Sequence, residues 1–356
     1  MRFASTDLLS FISLHPGSPG RRSAKLLAAL ALIAGVLLAA CTAGATPPAT
    51  TTASPAPVTG APVTPVTTAA PAVTAVPSVP PALVLIDDEG TSLTLPAPAQ
   101  RIVSLSPAIT ETLFALGAGS QVVAGTEADD YPAEAKALPH VASFSGVNIE
   151  AVVAARPDLV IAGGNGLTPP ADIQKLRSLG LDVLVVYADS IDRVLHDISL
   201  LGAAAGRGAT ADQLVANMRQ RIEMLSAAAQ SGGTKPRVFY ELDATKEIYG
   251  PAPDSFLAQM IQLAGGDPIT SGDPKVWAVS LELLVSADPQ VIILGDANYG
   301  MTPEAVKSRP GWAAMTAVKK GAIVPIDDTV VTRPGPRIVA GLEALVKAIH
   351  PDLQLP

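Results

Sequence analysis

Apolar residues along this chain keep two rhythms in turn. Near residues 101, 122, 158 and 182 the runs "RIVSL", "VVAGT", "DLVIAGG" and "DVLVVYA" are short and rich in Val, Ile and Leu, which reads as strands buried on both faces. Between them "PAITETLFALG", "NIEAVVAA" and "ADIQKLRSLG" space their apolar residues three and four apart, the signature of helices. The second half repeats the alternation with "RVFYEL", "SFLAQMIQLAG", "SLELLVSA", "QVIILG", "AAMTAVKKG", "AIVPI" and "RIVAGLEALVKAIH". Such alternation predicts an α/β fold with parallel sheets covered by helices. Ahead of it, "LVLIDDEGTSLTL" predicts a small hairpin turning at Asp87 to Gly90. From Thr210 to Gln230 there is no proline or glycine and the apolar spacing is helical, so one helix of about 30 Å should join the halves. The expected layout is a first lobe over 83–208, a connecting helix over 209–232 and a second lobe over 233–356.

One element is written twice. "NIEAVVAARPDLVI" runs from residue 148 to 161, and "SLELLVSADPQVII" from 280 to 293. Each has a polar starter, a glutamate two positions on, an apolar helix, a proline, an acid or amide, and a strand. The glutamates, Glu150 and Glu282, lie 132 residues apart (282 − 150). A carboxylate in a first helical turn gains about 0.3–1 kcal/mol from the helix dipole, which is one sufficient reason for either. The matching positions ask for a second.

The front end is a different material. Arg21, Arg22 and Lys25 precede fifteen uncharged, mostly apolar residues from Leu26 to Ala40, too short for a comfortable membrane span and shaped like an export signal. The run ends "LLAAC" at Cys41, the one cysteine of the 356 residues. From Thr42 to Ala82 there are ten prolines and no charge, so residues 41–82 read as an extended tether reaching on the order of 100 Å. Four of the 24 basic and one of the 32 acidic side chains fall within residues 1–40, leaving 20 against 31 and a formal charge of −11, which argues against nucleic acid as partner. A lone cysteine excludes a disulfide framework and a thiolate metal centre. His140, His196 and His350 form no ligand-spaced pair, so neither a zinc or manganese site nor any other metal site is expected. No G-x-S-x-G, H-E-x-x-H or P-loop motif is present, so catalysis is not expected; an enzyme on a bilobed frame would be revealed by turnover.

Four stretches in order, "RIVSLSPAITETLFALG", "DYP" at 130 to 132, "GVNIEAVVAARPDLVIA" and "RPGPRI" at 333 to 338, resemble the cobalamin and iron-complex substrate-binding proteins of bacterial ABC importers. The resemblance covers about residues 84 to 353 and is nearest in flavour to the cobalamin binders. It implies the class III binding-protein fold, two Rossmann-like lobes bridged by one long helix, with a metal chelate (cobalamin, a ferric siderophore or haem) held between them and no cofactor. It implies a monomer that passes its ligand to a permease and its ATPase, with Glu150 and Glu282 docking on the permease. The "LLAAC" boundary resembles a lipoprotein signal, implying cleavage of residues 1–40 and acylation of Cys41, hence an extracytoplasmic protein held to the membrane by lipid alone.

For the cleft, the loop after the first strand supplies Ser106 and Pro107, and the resemblance points to Tyr131 in "DYP", Phe144 where the cobalamin binder has a tryptophan, and Trp277. It adds Asp328 as an acceptor for ligand amides, with Arg333 and Arg337 from the R-x-x-P-R-I pattern. Ser106 is also placed to cap the helix that contains Glu111, and Arg337 suits a structural ion pair. Tyr131 or His140 would be the axial ligand if the chelate were haem. Gly163 to Gly166, "GGNG", brings Gly164 and Asn165 to the cleft where the cobalamin binder carries a further tryptophan. Trp312 is expected to pack on its own helix.

Overall fold

In a computed structural model, residues 82–233 and 235–356 are described. The export signal, Cys41 and the tether read from the sequence lie outside them, apart from Ala82.

The hairpin forms first: β1 (Leu83–Ile86) pairs antiparallel with β2 (Ser92–Leu95). Asp87 Oδ1 accepts from the amides of Glu89 and Thr91 and so closes the turn. The first lobe follows as β3 (Ile102–Ser104), α1 (Pro107–Ala115), β4 (Val122–Thr126), β5 (His140–Ser143), β6 (Gly146–Val147), α2 (Ile149–Ala154), β7 (Leu159–Gly163), α3 (Pro170–Ser178) and β8 (Val183–Val186). Its sheet runs β6-β5-β4-β3-β7-β8 and is parallel except for the β5–β6 pair.

Next come α4 (Ile191–Ala204) and α5 (Gly208–Gln230). The 23-residue α5 is the connecting helix expected at 209–232. It is not alone, because α4, for which the pattern reading assigns no element, packs beside it. Gly202 permits this: a Cβ there would collide with Ala211 of α5. The second lobe comprises β9 (Arg237–Glu241), α6 (Phe256–Leu263), β10 (Asp267–Pro268), α7 (Leu281–Ala287), β11 (Val291–Leu294), α8 (Pro303–Lys307), α9 (Thr316–Lys320), β12 (Ile323–Pro325), α10 (Asp328–Thr332) and α11 (Ile338–Ile349). Its parallel sheet runs β10-β9-β11-β12.

Alternate residues of each strand enter different cores, as a doubly covered sheet requires. In β7, Leu159 and Ile161 face one cluster while Val160 and Ala162 face another; in β11, Val291 and Ile293 part from Ile292 and Leu294 in the same way. Leu159, Ile161, Val291 and Ile293 all belong to one continuous cluster that also takes in Met218, Ile222 and Leu225 of α5, so one apolar core runs through both lobes.

The repeated sentence folds as a repeated unit, and the repetition goes deeper than its helix and strand. Asn148 and Ser280 cap α2 and α7, accepting from Ala151 N at 3.0 Å and Leu283 N at 3.1 Å. Arg156 and Asp288, again 132 residues apart (288 − 156), leave those helices in left-handed backbone at φ 48° and 47°. Asp158 accepts from the amides of Gln100 and Arg101, and Gln290 from the amide of Arg237, so the residue after the proline anchors the neighbouring strand in each lobe. Arg101 donates to the carbonyls of Ala155 and Arg156, and Arg237 to those of Ala287 and Asp288, closing the free carbonyl end of each helix.

Candidate functional site

Open α/β sheets hold ligands beyond the carboxyl ends of their strands. Here the loops after β3, β4, β7 and β8 of the first lobe meet those after β9 and β11 and the start of α10 across a cleft of about 760 Å³. Of the expected contacts, Ser106, Pro107, Phe144, Asn165, Trp277, Asp328 and Arg333 line it. Tyr131, Gly164 and Arg337 are not among the described residues that do.

Each departure has a local cause. Gly164 packs against β8, where a Cβ would sit 3.0 Å from the Tyr187 Cβ and 3.1 Å from Val185; its neighbour Asn165, at φ 53°, faces the cleft instead. Tyr131, joined to Pro132 by a cis peptide, lies half-exposed under the guanidinium of Arg337, whose Cζ is 4.1 Å from the ring centroid. Arg337 Nη2 donates to Glu111 Oε2 at 2.8 Å, the structural ion pair. That partner holds the guanidinium charged and raises its pKa. Ser106 begins α1 but its hydroxyl makes no capping bond, contrary to the expectation. Pro107 supplies the preset first turn, and the Ser106 side chain is left for the cleft.

Arg333 and Asp328 reach the cleft already engaged. Arg333 Nη1 donates to Asp130 Oδ1 at 2.6 Å and lies 3.8 Å from Glu111. Asp328 accepts from Tyr240 Oη at 2.7 Å and from Thr332 Oγ1 at 2.8 Å, and burial raises its pKa. Both oxygens therefore serve the second lobe before any ligand arrives.

Several cleft residues carry no motif that the sequence reading uses. Tyr187 follows β8, Tyr299 follows β11, and Phe256 opens α6, so aromatic faces come from both lobes along with Phe144 and Trp277. Desolvation raises the pKa of both tyrosine phenols, which keeps them neutral. Buried Asp129 accepts from Thr110 Oγ1, Thr126 Oγ1 and Thr126 N at 2.8–2.9 Å and pins the loop that presents Glu127, Ala128 and Asp130. His140 lies in β5, and neither it nor Tyr131 is among the residues that line the cleft.

The fold also gathers what the histidine spacing does not show. Ligand atoms of Asp88, His196 and Asp197 lie within 4.8 Å of one another. Arg193 Nη2, 2.8 Å from Asp88 Oδ1, already supplies a cation there. Asp197, 8% exposed, faces the cleft with Oδ1 unpartnered; burial first, and Asp88 second, push its pKa up to about 8.

Glu150 and Glu282 stand exposed as the second residues of α2 and α7, with no ion-pair partner among the described residues. Trp312 is buried as a packing residue, but against Phe239 of β9, edge-on, and under Arg309, 4.6 Å above its ring, not on its own helix.

Comparison with known proteins assigns the architecture. The periplasmic binding protein family model matches residues 102–330. The chain belongs to that family. An ABC transporter substrate-binding lipoprotein of Bacillus subtilis, YvrC, is 34% identical over 275 residues, 76% of this chain and 86% of its own. The periplasmic vitamin B12-binding protein of Vibrio cholerae superposes with a TM-score of 0.62 at 28% identity, over 71% of this chain and 97% of that one. The haem-binding protein RhuT of Roseiflexus gives the same score at 26% identity, over 71% and 100%. The bilobed class III fold follows, as does the role of a substrate-binding protein of an ABC importer. The relatives are binding proteins of transport systems, not enzymes.

Proposed function

We propose that this member of the family captures cobalamin or a related corrinoid between its lobes and delivers it, unchanged, to a permease that docks on Glu150 and Glu282. The observation that carries the reading is the interlobe cleft lined by aromatic residues from both lobes, Phe144 and Tyr187 from the first and Trp277 and Tyr299 from the second. Aromatic side chains on both walls suit a flat macrocycle, which offers apolar area to each wall at little conformational cost. The protein supplies no cofactor of its own; its chelate is cargo. Acylated Cys41 would hold it outside the cell membrane, where a scarce nutrient is met first, and the protein would work as a monomer.

Ferric siderophores and haem remain the alternatives, the former because "GGNG" places glycines where the cobalamin binder has a tryptophan. The test is titration of the detergent-solubilised full chain with cobalamin, cobinamide, haem and ferric siderophores, following tryptophan fluorescence with calorimetry. Saturable corrinoid binding supports the reading. Siderophore binding without corrinoid binding replaces it with the alternative, and turnover of any bound chelate would replace receptor with enzyme.

A further inference from the structure

The cleft has a charge imbalance that aromatic count alone conceals. Six carboxyl residues line it, Glu127, Asp130, Asp189, Asp197, Asp254 and Asp328, against one arginine, Arg333. Arg333 is already held by Asp130 at 2.6 Å, so that pair cancels. Asp328 is satisfied by Tyr240 and Thr332. Asp197 is buried, and burial pushes its pKa up to about 8, so it stays largely protonated at neutral pH; Glu127, Asp189 and Asp254 remain, all exposed and none with an ion-pair partner among the described residues. They come from three separate places, the loop after β4, the loop after β8 and the approach to α6, so both lobes contribute. Asp254 holds a left-handed backbone at φ 61°, a conformation an aspartate adopts at a cost and one found where function fixes geometry.

We propose that Glu127, Asp189 and Asp254 make the cleft a selector of charge, taking chelates that are neutral or cationic and present N–H donors, and rejecting anionic ones. The inference rests on the reading of the protein as a chelate receptor and sharpens it. A carboxylate or catecholate ligand entering here meets like charge from three sides with no free guanidinium to receive it, whereas carboxamide or ammonium groups find acceptors. A cleft walled by protein screens such charges less than open water does, so the sign of the ligand outweighs small differences in its shape.

Matched pairs test it. The full chain in detergent is titrated with cobalamin and with a cobalamin monocarboxylic acid, in which one corrin amide has become a carboxylate. A second pair is cationic ferrioxamine B and its N-succinyl derivative; haem and a ferric tricatecholate serve as strongly anionic probes. In whichever pair binds, the anionic member should be weaker by about tenfold or more at low salt. The gap should close to about threefold or less at high salt, and in the triple variant Glu127→Gln, Asp189→Asn, Asp254→Asn. The three single variants, each narrowing the gap in part, serve if the triple variant does not fold. Equal or tighter binding of the anionic member, or a gap unmoved by the variants, overturns the inference. Tight binding of haem or the tricatecholate overturns it while leaving the receptor reading intact. Silence toward every chelate removes the receptor reading and the inference together.

Discussion

Arg337, at the start of α11 in the second lobe, donates to Glu111 of α1 in the first at 2.8 Å, and Glu111 is 2% exposed. Arg333 approaches the same carboxylate at 3.8 Å, so one buried acid ties two arginines across the lobes. Removing it strands positive charge in a half-buried place. Glu111→Gln should destabilise the protein by about 2–3 kcal/mol, less than the roughly 3–5 kcal/mol of a fully buried pair because both guanidiniums keep some solvent. Denaturant unfolding measures it. Adding Arg337→Met to that variant should cost less than the sum of the two single changes; additivity would show that the pair is not coupled.

Two carboxyls make stability fall with pH. Burial pushes Asp197 up to about 8 and does the same to Asp296, which lies buried just after β11 beside Glu241. A carboxyl raised in the folded state stabilises fully below its ordinary value near 4 and loses that contribution as pH rises to its folded value. Thermal unfolding should therefore show a decline between about pH 4 and pH 8. Asp197→Asn, which stays neutral throughout, should flatten part of the slope and unfold at a higher temperature than the parent at pH 8. An unchanged slope would place the proton elsewhere.

Charge reversal at Glu150 and Glu282 separates docking from binding. If the two carboxylates meet the permease, Glu150→Lys with Glu282→Lys should abolish uptake by cells while leaving ligand affinity in the purified protein unchanged. Lost affinity would assign the pair to the cleft or the fold instead.

The left-handed residues after α2 and α7 should respond oppositely to glycine, although their φ angles differ by one degree. Arg156 is exposed and makes no side-chain hydrogen bond among the described residues, so Arg156→Gly relieves backbone strain and should stabilise by about 0.5–1 kcal/mol. Asp288 accepts from Thr316 N at 2.7 Å and Thr316 Oγ1 at 2.8 Å, bonds that hold its pKa low. Asp288→Gly loses both and should lower the unfolding temperature.

The strands were legible because both faces are buried: "LVIAG" has no polar residue to mislead, and its two neighbours in the sheet hide the rest. The long helix was legible because α5 lacks glycine and proline from Thr210 onward. Its companion α4 was not, although Val194, Leu195, Ile198 and Leu201 keep helical spacing, because the glycine that would end a helix in isolation is the one that lets α4 meet α5. Site chemistry was legible as residue types but not as partnerships. Arg333 finds Asp130 across 203 positions and Arg337 finds Glu111 across 226, distances over which no local pattern speaks. Tyr187 and Tyr299 reached the cleft through strand order alone, and the unbalanced acids became visible only when the loops were brought together.

The paired arginine closures behind α2 and α7 set a mechanical limit. Each helix is pinned at its start by a capping side chain and at its end by an arginine from the neighbouring strand, so neither can swivel on its lobe. Glu150 and Glu282 thus behave as two survey marks cut into separate blocks. A surface that docks on both, as proposed, meets marks whose places are set by the two lobes and not by loose helices.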